Sequence, residues 1–127
     1  MWVILAALAA VGAAAAPAPQ QAATNWVALV DGGHYGQSWS AAGTLFRQQI
    51  DQAKWAETVA KARAPFGALQ ARVFASAEAK SSLPGAPDGA YEIITFNTRF
   101  VHKQAAVETV VLAREGASWK VDGYFIR

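Results

Sequence analysis

The stretch Trp119-Lys120-Val121-Asp122-Gly123-Tyr124-Phe125-Ile126-Arg127 sets large apolar side chains at alternate positions, as a strand buried on one face requires. Working back from it, residues 106–114 and 91–102 are equally rich in β-branched and aromatic residues. The links between them, around Glu115-Gly116 and around Gln104, are hairpin-short, so the three runs form an antiparallel meander. Ahead of them, Pro84-Gly85 and Asp88-Gly89 mark a loop over residues 81–89, and residues 69–77 read as a weaker fourth strand.

Register follows from the loops. A two-residue turn at Gln104-Ala105 and a three-residue loop with Gly116 in the left-handed position collect Ile94, Phe96, Phe100, Val107, Val111, Trp119, Val121 and Phe125 on the core face. The opposite face then carries Asn97, Arg99, Glu108, Lys120, Asp122 and Tyr124, intermixed with Val110 and Leu112. A change of one residue in either loop reverses this sorting for the strand beyond it.

Upstream the period is helical. Trp26, Leu29 and Val30 share one face of a segment that Gly32-Gly33 terminates. Tyr35, Trp39, Ala42, Phe46 and Ile50 predict a second helix, and Asp51 N-caps a third that carries Trp55, Val59 and Ala62 before Pro65 and Gly67 stop it. Three helical segments on one face of a four-stranded antiparallel sheet make a two-layer α+β fold, with the element order of cystatin-like or nuclear-transport-factor-like curled sheets.

The first thirty residues carry no charged side chain, and residues 3–16 have the apolar length of an export signal rather than of a membrane span. The small residues Ala13 and Ala15 suit cleavage after Ala15, although no Lys or Arg precedes the apolar core. Residues 1–23 are therefore read as an export segment and spacer, and 24–127 as one domain. The expected location is periplasmic or secreted, with no stable membrane span after processing.

Lys and Arg outnumber Asp and Glu by only 11 to 9, and the basic residues are scattered, which excludes a nucleic-acid-binding stripe. The chain has no cysteine, so disulfides, thiol catalysis and thiolate metal sites are ruled out. Five Trp, six Phe and three Tyr supply the core volume instead.

Chemistry-bearing residues are few. Asp31, His34 and Tyr35 could form a carboxylate-oriented base, but the intervening Gly-Gly pair breaks the helix that would align them. His34 and His102 are the only histidines and lack metal-ligand spacing. In the register above, Arg99 and Glu108 lie on neighbouring strands of one polar face, beside Asp122 and Tyr124. Arg63 and Arg72 flank the helix-to-strand junction, where a guanidinium can tie turn carbonyls or bind an anion. The expected binding set is Arg99, Glu108, Asp122, Tyr124 and Arg72, with no catalytic residue, metal or cofactor. An unidentified protein or small molecule is the expected partner.

Trp26 with Leu29-Val30-Asp31-Gly32, Tyr35, Trp39, Phe46, Trp55, Arg63-Ala64-Pro65-Phe66-Gly67, Arg72, Leu83-Pro84-Gly85, Pro87-Asp88-Gly89, Tyr91, residues 96–100, Glu108-Thr109, Trp119 and Gly123-Tyr124 stand in a distinctive order. Over residues 24–127 the chain thereby resembles the small exported bacterial proteins grouped as domain of unknown function 4019. The resemblance implies export and no assigned activity. A non-enzymatic binding or interaction domain of the bacterial envelope is the first expectation, and an enzyme with a pocket between helices and curled sheet the second.

Overall fold

The computed structural model describes residues 15–127, so the export-segment reading falls almost entirely outside the described residues. Four helices, α1 (Pro19–Asp31), α2 (Tyr35–Ala41), α3 (Thr44–Gln49) and α4 (Gln52–Arg63), precede four strands, β1 (Leu69–Lys80), β2 (Tyr91–Phe100), β3 (Lys103–Glu115) and β4 (Ser118–Ile126). The strands form one antiparallel meander in the order β1-β2-β3-β4, and the helices pack on one face of it. This is the expected two-layer α+β arrangement.

Helix α1 begins inside the stretch read as spacer. Pro19 occupies the first helical turn, where its missing N–H costs nothing, and Ala23 is fully buried against the core. The single second helix expected over residues 35–50 is instead two. Ala42 and Gly43 are extended because Gly43 N–H donates to Val121 O of β4 at 2.7 Å, and that contact outweighs the unbroken apolar stripe. A side chain on Gly43 would overlap the Asp122 carboxylate, which accepts from Phe46 N–H at 3.4 Å in the first turn of α3. Gly43→Ala should therefore lose about 1–3 kcal/mol in urea denaturation. The loss should shrink when Asp122 is also made Ala, whereas additive losses would remove the steric explanation.

Asp51 caps α4 as its position suggests, its Oδ1 accepting from Lys54 N–H at 2.7 Å. The core is aromatic. Trp26 packs against Phe46, Trp55 and Tyr124 with ring centroids 6.2, 5.9 and 5.6 Å away, and Phe46 meets Trp55 edge-on at 4.8 Å. The indole donors converge on buried Ser38. Trp26 Nε1 donates to its carbonyl at 2.8 Å, and Trp55 Nε1 donates to its hydroxyl at 2.9 Å. Trp119 is half-buried at the margin of this cluster.

The register differs from the expected one in three places. The β2–β3 turn is Val101-His102, not Gln104-Ala105, because Val101 and His102 donate their N–H groups to Ala68 O and Phe66 O at 2.9 Å each. The turn alone would leave each β3 side chain on its expected face, but an irregularity follows it: Lys103 to Ala106 spans three steps against the two from Phe100 to Thr98. That one extra residue makes Ala106, Glu108, Val110 and Leu112 face the helices and Val107 and Val111 face out. Gly116 is left-handed as expected, with φ +60°, but Glu115 pairs directly with Ser118 across a two-residue loop. In β4 a bulge at Asp122 separates Val121, which pairs with Leu112, from Gly123, which pairs with Val111. Beyond the bulge Tyr124 turns inward and Phe125 outward, 62% exposed. No described helix is long and apolar enough to cross a membrane.

Candidate functional site: a buried cluster and an open sheet face

Asp31 ends α1 at the negative pole of the helix dipole, an unfavourable place for a carboxylate unless cations meet it. Two do. Arg63 Nη2, from the last turn of α4, donates to Asp31 Oδ1 at 2.8 Å, and Arg72, from the inner face of β1, donates to Oδ2 and Oδ1 at 2.7 and 3.0 Å. The other edge of the Arg72 fork reaches Glu108, with Nε to Oε1 at 2.8 Å and Nη2 to Oε2 at 3.2 Å.

Glu108 is fully buried. Besides Arg72, it accepts from Thr98 Oγ1 at 2.5 Å and from the Tyr124 hydroxyl. Each Glu108 oxygen thus has two donors, as a carboxylate removed from water must. The cations are held over aromatic faces as well, Arg63 4.7 Å above Phe100 and Arg72 6.0 Å from Phe96. Arg63 Nε and Nη1 are buried without a hydrogen-bond partner among the described residues, so the ring face is their compensation.

The electrostatics reinforce this arrangement. Burial works to raise the Asp31 pKa, but the hydrogen bonds and charges of Arg72, then of Arg63, hold the carboxyl below its usual range. Burial also opposes the charge on Arg72, yet Asp31 and Glu108 raise its pKa further still. Burial and the Glu108 charge push the Tyr124 phenol up, so it serves as a proton donor throughout the neutral range. The Asp122 carboxyl, outside this cluster, is raised by burial.

A depressed folded-state pKa adds stability that is complete above the ordinary aspartate value near 4 and is lost as pH falls through the lower folded value. Asp31→Asn should therefore reduce stability at pH 7 and flatten the acid limb of the stability curve below about pH 4. Denaturant midpoints measured from pH 2 to 7 check this.

Among the residues expected to bind, Arg72, Glu108 and Tyr124 are brought together, but inside the protein. Arg99 and Glu108 do not share a face. Their expected pairing fails because the extra residue near the start of β3 turns Glu108 inward, opposite Phe96, while Arg99 stays exposed, opposite Ala71 of β1. Asp122 leaves the polar face through the β4 bulge and binds the start of α3. His34 and His102 are exposed, and Asp31 serves guanidinium groups rather than His34. Among the described residues no group of three His, Cys, Asp or Glu side chains is gathered to hold a metal ion.

Sequence reasoning undervalued Asp31, Arg63 and Thr98. The available signal was the parity of Glu108 with Val110 and Leu112, two strongly apolar neighbours on its own face.

The outer sheet face has a different character. A shallow, open groove of about 420 Å³ is lined by Ala71 and Val73 of β1, Asn97 and Arg99 of β2, and Gln104, Ala105 and Val107 of β3, together with Thr98 and Ala106. Val73 is 63% exposed there, and Phe125 of β4, paired with Thr109, is exposed outside the groove.

Among solved structures, 17 chains match this one. Aln2 from a Streptomyces species is 15% identical, over 88% of this chain and 93% of that one, with a TM-score of 0.47. No curated protein matches the chain. The family model described as a protein of unknown function, DUF4019, matches residues 22–124, and the chain belongs to that family.

Proposed function

We propose that this chain is a non-enzymatic interaction module, exported to the bacterial envelope, that docks a partner on the outer face of its sheet. The observation that carries the reading is the contrast between the two faces. On the inner face Glu108 is sealed from solvent and both its oxygens are committed to donors of this chain, so the cluster acts as a clamp between helices and sheet. On the outer face apolar side chains and an arginine stand together in solvent, an arrangement that favours binding over chemistry. An enzyme pocket between the layers has less support, because aromatic side chains occupy that space.

The test is photo-crosslinking in cells with a reactive residue at Val73 or Val107, and a control at exposed Gln37 on α2. Discrete adducts from the sheet positions, absent from the control, are the expected result. Equal labelling at all three, or none, would remove the reading. N-terminal sequencing of the envelope protein tests the export part, and retention of Met1 on a cytosolic product would overturn it.

A further inference from the structure

The groove on the outer face has one cation and no carboxylate in its lining. Arg99 is exposed and makes no salt bridge among the described residues, in contrast to Arg63, Arg72, Lys54, Lys61 and Lys80. Around it lie the apolar side chains of Val73 and Val107, and the amides of Asn97 and Gln104. Apolar walls with one unneutralised guanidinium suit a partner that brings a carboxylate between apolar side chains. Building on the docking role argued above, we propose that the occupant is an extended segment of a partner protein in which an acidic residue, flanked by apolar ones, reaches Arg99.

Two other occupants fit less well. A second copy laid on this face would bring either the same arginine or the Glu78 carboxylate at the far end of β1, which Lys80 already neutralises at 2.8 Å. A strand added to the free edge of β1 would meet register shifts between Leu69 and Ala71 and between Phe74 and Ser76, irregularities that blunt a sheet edge against pairing. The face is therefore a better surface for a partner than the irregular β1 edge.

The test titrates the domain with three peptides of one length, alternating valine with glutamate, glutamine or lysine, and follows the amide signals of Val73, Asn97, Arg99 and Val107 by NMR. The glutamate peptide is expected to shift these signals saturably and to bind at least about tenfold tighter than the glutamine peptide. Arg99→Glu, at an exposed position that leaves the fold intact, should reverse the preference toward the lysine peptide.

Equal binding of the three peptides would overturn the acidic partner while leaving a docking face in place. Groove signals that move with protein concentration alone would overturn it in favour of a second copy. No shift with any peptide would overturn it too, and the crosslinks from Val73 and Val107 then decide separately whether the docking reading survives.

Discussion

Replacing Glu108 by alanine should destabilise the protein by about 3–5 kcal/mol, because it leaves the Arg72 guanidinium, 10% exposed, with half its partners gone on the side that faces the core. Thr98 and Tyr124 lose their acceptor in the same step, and each unsatisfied buried donor adds its own cost. Arg72→Ala should be comparably severe, since it strands Glu108 and removes the main partner of Asp31. The instructive variant is the pair Arg72→Met with Glu108→Leu. Apolar replacement of both charges should recover a large part of the loss, as buried ion pairs commonly match rather than exceed the stability of an apolar packing. Denaturation in urea of the unaltered protein, Arg72→Met, Glu108→Leu and the pair, repeated at high salt, supplies the coupling, which should be strong and nearly salt-insensitive. A loss below about 1 kcal/mol for Glu108→Ala would mean that the carboxylate is not held as described.

Trp26→Ala should cost about as much, 3–5 kcal/mol, through a different cause. Trp26 is 4% exposed and touches three other aromatic rings, so truncation opens a cavity at the meeting point of α1, α3, α4 and β4. Ser38→Ala probes the polar half of this core. It deprives Trp55 Nε1 of its acceptor and should cost about 1–3 kcal/mol, although it removes one oxygen atom. Trp119→Ala should lose only about 1–2 kcal/mol, because Trp119 packs at the half-exposed margin rather than inside. Chemical denaturation ranks the three, and a Trp119 loss equal to that of Trp26 would place the core boundary elsewhere.

Periodicity along the chain was enough for the layers, the strand order, the Asp51 cap and the aromatic composition of the core. Each of these depends on contacts between residues near in sequence, or on an alternation that every compact solution must respect. The extent of the helices was less legible. The spacing from Tyr35 to Ile50 is continuous, and only the approach of Gly43 to Val121, 78 residues later, breaks it into α2 and α3. The same limit governs the buried cluster. Ala106-Val107-Glu108-Thr109-Val110-Val111-Leu112 is apolar on both sides of the pleat, so its own pattern does not choose a face. The choice came from the irregularity just after the β2–β3 turn, where β3 carries one residue more than β2 between the Phe100–Lys103 and Thr98–Ala106 pairs. The sequence by itself determined that helices cover one side of an antiparallel meander. Only the tertiary structure decided that Glu108 is sealed within that contact and Arg99 left in solvent, because a single residue of register reverses every side chain beyond it.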